Sequence, residues 1–171
     1  MKVSALHALY MRAWSRQGSE QLKERTTESR GVDDQERRIR RVIGDKPLRV
    51  KKSIERWHHH LVSHLVLPCE VTGIEDFQWE EFYVIGPGSA WRYRWLRRNR
   101  PSYQDIFDLT EVRIDADSEW SMFSEDLKAC VRRKDDGKEF VLGLSELETT
   151  DKDSMNSQLL DDYSVWFVNS R

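Results

Sequence analysis

Acidic side chains are concentrated in the stretch "CEVTGIEDFQWEEFYVIG", residues 69–86. Calcium binds roughly six to eight oxygen atoms, mostly from carboxylates and backbone carbonyls. Large apolar side chains separate the acids, so the stretch fits two interpretations, a solvated strand face or a set of oxygens gathered for a cation. The carboxylates belong to Glu70, Glu75, Asp76, Glu80 and Glu81.

Two later stretches, residues 115–126 and 151–162, have an Asp at their first, third and twelfth positions, like an EF-hand loop. The EF-hand needs Gly at the sixth position for its sharp turn. This chain has Trp120 and Asn156 there, so the EF-hand is excluded. The acids remain either calcium ligands of another kind or solvated loop residues.

A basic and aromatic stretch, "WRYRWLRRNR", covers residues 91–100. Arginines can neutralise phosphates while aromatic rings stack on bases. The alternative is an interface where arginines stack on aromatic rings and pair with acids. The acidic pI of about 6.2 argues against a committed nucleic-acid binder. The candidate binding residues are Arg92, Arg94, Trp95, Arg97, Arg98 and Arg100.

Catalytic motifs are not found in the sequence, and we expect no enzyme activity. There is no G-x-S-x-G motif and no glycine-rich phosphate loop. The histidines of "HHHLVSH" spread around a helix, where only His60 and His64 share a face, and a catalytic zinc needs three protein ligands. Cys69 and Cys130 are expected to be reduced thiols, with a disulfide as the alternative.

The charge is divided unevenly along the chain. Residues 1–60 carry a formal charge of +7, and residues 61–171 carry −9. This asymmetry predicts a basic N-terminal arm over residues 1–46 and a compact domain over residues 47–171. Within the arm, residues 4–17 have the spacing of a short amphipathic helix.

The compact domain begins with the strongest helix pattern, residues 47–68, in which Trp57, Leu61 and Leu65 form one apolar stripe. Alternating residues then predict strands over residues 69–74 and 77–84. The alternation slips at Glu80–Glu81, which indicates a bulge or a break there.

A hairpin is predicted around "KDDG", with Gly137 in the left-handed conformation of the turn. Residues 158–169 are a closing helix or strand whose aromatic side chains pack on the core. Helix, strands and closing element together predict an α+β fold: an antiparallel sheet or small barrel packed against one main helix.

Three segments resemble the small bacterial calcium-binding proteins of the CcbP type. They are the helix running into "LVLPCEVTGIED", the stretch "KEFVLGLSELE", and "LLDDYSVWFVN" near the C-terminus. The resemblance covers roughly residues 53–171, with Gly143 where Pro is expected and Cys69 where an aromatic residue is expected. It implies a domain that binds calcium through surface carboxylates outside any EF-hand.

The ligands that this resemblance suggests include the acids of residues 69–86 and two acids near the C-terminus. Asp161 and Asp162 are equally suited to capping the last helix. The suggested calcium ligands are Glu70, Glu75, Asp76, Glu80, Glu81, Asp161 and Asp162.

The sequence thus supports two functions. The first is a calcium buffer or sensor without catalytic activity. The second is a nucleic-acid or protein interaction module that uses the basic arm and the Trp91–Arg100 stretch. Because no apolar run approaches the roughly 20 residues of a membrane span and the N-terminus has no secretory h-region, we expect a cytoplasmic protein.

Overall fold

The computed structural model describes residues 34–45, 48–114 and 126–170. The predicted amphipathic helix over residues 4–17 and the acids of residues 115–119 lie outside these ranges. Contacts divide the chain into two units, residues 1–38 and residues 39–171. In the first unit, Arg37 and Asp34 form an ion pair of 2.8 Å. The second unit carries the sheet and the core.

The described residues include five helices and five strands. The helices are α1 (residues 34–43), α2 (Lys51–His64), α3 (Glu81–Val84), α4 (Ala90–Arg97) and α5 (Met155–Asn169). The strands are β1 (Cys69–Gly73), β2 (Phe107–Arg113), β3 (Lys128–Arg133), β4 (Glu139–Gly143) and β5 (Leu147–Thr149), with a 3₁₀ turn at Leu144–Glu146.

The strands form one antiparallel sheet in the order β4-β3-β2-β1-β5. Strand β1 pairs with β2 through Cys69 and Leu109, and with β5 through Val71 and Thr149. The register between β2 and β3 shifts at Thr110, which marks a bulge. The predicted α+β fold is confirmed. Of the two predicted arrangements, an antiparallel sheet or a small barrel, the described strands form the sheet.

Helices α2 and α5 pack together and bury their aromatic side chains. Trp57 of α2 lies 5.6 Å from Tyr163 and 5.7 Å from Trp166, measured between ring centroids, and all three are at most 2% exposed. The apolar stripe predicted for α2 is confirmed, since Trp57 and Leu61 are buried. The helix begins at Lys51, later than the prediction from Pro47, and ends at His64 before Pro68.

The closing segment is a helix, and Ser154 is its N-cap. The Ser154 Oγ accepts a hydrogen bond of 3.1 Å from the amide of Ser157. The capping role considered for Asp161 and Asp162 is wrong, because both residues lie in the interior of α5. A cap must precede the first turn, where amide groups lack partners within the helix.

The strand predicted over residues 77–84 is also wrong. Residues 78–80 form a turn, and α3 follows. The Glu80 carboxylate accepts a hydrogen bond from the Phe77 amide, and the Glu80 carbonyl accepts from the amide of Val84. These contacts between residues three and four positions apart are helical, so the slip in alternation marked a change to helix rather than a bulge.

The predicted hairpin between β3 and β4 is confirmed, with Gly137 at a φ of 70°. Both cysteines are free thiols and are partly buried. Within the described ranges, no helix is long and apolar enough to span a membrane.

Candidate interaction surface on the segment between β1 and β2

Strands β1 and β2 are neighbours in the sheet, yet a long segment, residues 74–106, connects them. This connecting segment carries α3 and α4. Neither helix buries a single residue. Such helices gain little from a hydrophobic core, so other interactions must hold them in place.

Glu80 provides the first of these interactions. Its side chain is fully buried, and both carboxylate oxygens accept hydrogen bonds. Oε1 accepts from the hydroxyl of Tyr93 at 2.7 Å, and Oε2 accepts from the amides of Tyr103 at 2.9 Å and Phe77 at 3.3 Å. One carboxylate therefore joins the start of α3, the middle of α4 and the loop before β2.

Arg133 of β3 provides the second interaction, because its guanidinium lies at the C-terminal end of α4. It donates hydrogen bonds to the backbone carbonyls of Arg97 and Arg100, both at 3.0 Å, and of Arg98 at 3.2 Å. The last carbonyls of a helix have no partner within the helix, and a cation there also interacts favourably with the helix dipole.

Two aspartates neutralise this buried cation. Arg133 is 5% exposed and pairs with Asp105 at 3.0 Å and with Asp136 at 2.7 Å. Asp105, itself buried, also accepts from Arg97 at 2.8 Å. The Arg133 guanidinium holds the pKa of the Asp136 carboxyl well below its usual range, mainly through this hydrogen bond. We call Glu80, Asp105 and Arg133 the polar latch.

Aromatic rings fill the space behind α4. Tyr93 stacks on Tyr83 with ring centroids 5.9 Å apart and lies 5.8 Å from Trp79. The indole of Trp79 donates to the carbonyl of Pro101 at 2.7 Å. Burial, followed by the hydrogen bond to Glu80, raises the pKa of Tyr93. The inner side of α4 is thus fixed by ring stacking and by the polar latch.

The outer side of α4 presents tryptophan and arginine to solvent. Trp91 is 70% exposed and Trp95 is 53% exposed. Residues three and four apart lie on one helix face, so Trp91, Arg94, Trp95 and Arg98 form a single surface, which we call the Trp/Arg face. Tyr93, by contrast, points inward and is half-buried. Exposed aromatic residues on a fixed helix are typical of a binding surface.

The positive charge on this face is not neutralised within the described residues. Arg97 is paired with Asp105, but the side chains of Arg94 and Arg98 form no ion pair there. Both line a groove of about 330 Å³ beside the polar latch. The side chain of Arg92 is also exposed.

Of the predicted nucleic-acid-binding residues, the structure therefore gathers three on or beside one exposed face, namely Arg94, Trp95 and Arg98. Arg97 pairs with the buried Asp105, and the guanidinium of Arg100 lies 5.5 Å from the ring centre of Trp79. The connecting segment has further exposed apolar side chains, with Phe82 of α3 at 57% and Ile85, directly after α3, at 76%.

The predicted calcium ligands are distributed differently. Glu70 lies on β1 and pairs with Lys134, which directly follows β3. Glu75 and Glu81 are exposed, and Asp76 is half-buried. Glu80 is enclosed by the donors described above. On α5, Asp161 is exposed and Asp162 is buried. Throughout the described ranges, no group of three or more His, Cys, Asp or Glu side chains is arranged to hold a metal ion.

A different pair of carboxylates comes together at the start of β3. Asp126 accepts from the Tyr163 hydroxyl at 2.6 Å and from the Ser145 hydroxyl at 2.7 Å. Burial raises the pKa of Asp126. Desolvation and the nearby Asp126 charge raise the pKa of Glu146. A Cβ atom at Gly143 would lie 2.6 Å from an Asp126 oxygen, which explains the glycine there.

The polar latch joins residues far apart in the chain, so the spacing of residues did not reveal it. One signal was present: Arg133 follows Ala129 and Val131 at alternate positions of β3, which places a cation on the buried side of a strand. Comparisons with models of protein families, with curated proteins and with solved structures gave no match.

Proposed function

We propose that this protein is an interaction module that docks a partner protein on the Trp/Arg face of α4. One observation carries the proposal: two tryptophans and two arginines share an exposed helix face that a buried polar network holds from behind. Tryptophan and arginine are enriched among the residues that dominate binding energy at interfaces. A face that is fixed before binding loses less conformational entropy when the partner arrives.

The composition of the surface favours protein over nucleic acid as the partner. Phe82 of α3 and Ile85, which directly follows α3, add exposed aromatic and aliphatic area on the same connecting segment. Aliphatic side chains bury well against a protein, whereas single-stranded nucleic acid is held by stacking and phosphate contacts. The chain also carries a net charge of −2. The sequence also predicts a cytoplasmic location and a role for the basic arm in partner binding. Both of these remain predictions.

Site-specific photo-crosslinking in cells tests this function. A photoreactive amino acid replaces Trp91 in one variant and Val62, 56% exposed on α2, in a control variant. We expect position 91, but not position 62, to crosslink a protein whose adduct survives nuclease treatment. The captured protein, once purified, should bind the unmodified chain and lose binding to W91A/W95A. Crosslinks to nucleic acid alone, or equal yields from both positions, would contradict the proposal.

Calcium binding remains a second candidate, carried by the resemblance to the CcbP type. Asp126 and Glu146 lend it a specific observation: burial raises the pKa of both carboxyl groups, and the Asp126 charge raises that of Glu146 further, so a nearby cation would stabilise their ionised forms. A ligand that binds only the folded state raises the melting temperature. We therefore expect millimolar calcium to raise the melting temperature and magnesium to raise it less.

The variant E146Q sharpens the calcium experiment, because it removes one carboxylate while keeping the size of the side chain. Calcium should stabilise E146Q less than the unmodified chain. A control, E139Q, removes a charge from the exposed start of β4. Melting curves that calcium leaves unchanged in all three proteins would end the calcium hypothesis.

A further inference from the structure

The charge of the Trp/Arg face identifies the chemistry of its partner. Four arginines line the groove beside α4, but two of them are already neutralised: Arg133 by Asp105 and Asp136, and Arg97 by Asp105. The remaining cations, Arg94 and Arg98, have no acidic partner within the described part of the chain. They lie four residues apart, and Trp95 lies between them in sequence on the same face.

From this pattern we infer that the partner presents an acidic segment in which carboxylates flank an apolar or aromatic side chain. This inference rests on the proposed function and specifies its ligand. The carboxylates would accept hydrogen bonds from the forked guanidinium groups of Arg94 and Arg98. The apolar side chain would cover Trp91 and Trp95.

The polar latch gives this arrangement its selectivity. Because Asp105 and Asp136 pair with Arg97 and Arg133, Arg94 and Arg98 are the two arginines of this groove that have no acidic partner among the described residues, and an incoming acid would pair with them. Asp135 also lines the groove. Its negative charge would repel a second acidic group of the ligand at that end. The groove thus favours a limited number of carboxylates over a dense polyanion.

Selection from a random peptide library displayed on phage tests this inference without a known partner. Phage are selected on the full chain and depleted on W91A/W95A, so that only ligands of the Trp/Arg face remain. We expect the retained peptides to be enriched in Asp and Glu together with aromatic or aliphatic residues. Enrichment of neutral or basic peptides would overturn the acidic partner and leave the proposed docking function standing.

Failure of the docking function gives a different result. If depletion on W91A/W95A removes every selected peptide, the peptides bind elsewhere on the protein, and both proposals fall. Binding of an oligouridylate that W91A/W95A loses would replace the protein partner with nucleic acid. Self-association in sedimentation experiments that R94E/R98E abolishes would replace it with a second copy of this chain.

A retained peptide then allows the charge to be tested directly by fluorescence anisotropy. We expect R94E/R98E to weaken binding about tenfold or more, and salt to weaken binding to the unmodified chain as it screens the pairs. The matched control K51E/K52E reverses two exposed charges in the first turn of α2 and should bind the peptide as the unmodified chain does. Equal affinity of R94E/R98E and K51E/K52E would contradict the inference.

Discussion

Glu80 shows how one residue can be misread when only its neighbours in sequence are considered. Its position among acids and aromatic residues suggested a calcium ligand, whereas its carboxylate is buried and accepts three hydrogen bonds. A buried carboxylate is tolerated only where donors surround it. The three donors come from Phe77, Tyr93 and Tyr103, two of which are distant in the chain.

The variant Y93F tests this role of Glu80. Removing the hydroxyl takes away the 2.7 Å hydrogen bond to Oε1 and leaves a buried acceptor short of one donor. We expect the free energy of unfolding to fall by about 1–3 kcal/mol, measured by denaturant titration. Y83F is the matched control, since the Tyr83 ring stacks on Tyr93 but its hydroxyl makes no hydrogen bond among the described residues. Equal losses in the two variants would argue against the prediction.

Glu146 gives a prediction about pH. Its pKa is raised by desolvation, by Asp126 and more weakly by Glu75. The folded state therefore binds a proton more tightly than the unfolded state, so this group adds stability as pH falls and loses it as pH rises through the folded pKa. We expect E146Q to be more stable than the unmodified chain at neutral pH, with the difference shrinking towards about pH 4.

Melting temperatures of both proteins across this pH range provide the measurement. The control E139Q removes one negative charge from β4, which separates the local effect from the change in net charge. A difference between E146Q and the unmodified chain that stays constant with pH would show that Glu146 has no such role.

At the scale of elements, Arg133 joins α4 to the β3–β4 hairpin, which explains how a helix without buried residues is held. In R133M, Asp105 loses one of its two cationic partners. Three carbonyls at the end of α4 lose the Arg133 donor, and of these the carbonyl of Arg98 keeps a donor in Lys138. Breaking a buried ion pair from one side is strongly destabilising, so we expect a loss of about 3 kcal/mol or more. R132M, an exposed position on the same strand, should change stability by about 0.5 kcal/mol or less.

Elements built from local signals could be predicted from the sequence. The apolar stripe of α2 and the turn at Gly137 depend on spacing and on the conformational freedom of glycine, and both are confirmed. For residues 77–84, the alternation of apolar and polar residues could not decide between strand and helix. Contacts with α4 and with the loop before β2 fix the conformation of this region. Tertiary contacts of this kind leave no periodic signal.

At the scale of the whole molecule, the candidate surface and the core are separate. The core consists mainly of aromatic and aliphatic residues of α2, α5 and the sheet, with Ile39, Ile43 and Phe77 added, and the described helix α4 adds none. W91A/W95A should therefore leave the free energy of unfolding within about 0.5 kcal/mol of the unmodified chain. Thermal and denaturant unfolding both measure this, and a loss as large as that of Y93F would mean that the tryptophans have a structural role.

The function of the site was less predictable than the fold. The sequence indicated the basic aromatic stretch as one of two candidates, but it gave no means of separating arginines that are paired from those that are free. Arg97 and Arg98 are adjacent in sequence, yet one pairs with Asp105 and the other faces solvent. Only the position of Asp105 after the helix makes that distinction.

The polar latch also bears on how the molecule opens. Arg133 lies in the strand between β2 and β4, and its side chain holds the last turn of α4. Separation of β3 from its neighbours would withdraw that side chain, so α4 would lose its order in the same event. Hydrogen exchange in α4 would then follow the opening of the hairpin as one cooperative unit. Cooperativity of this kind does not require closeness in sequence, since even the paired strands β1 and β5 are nearly eighty residues apart.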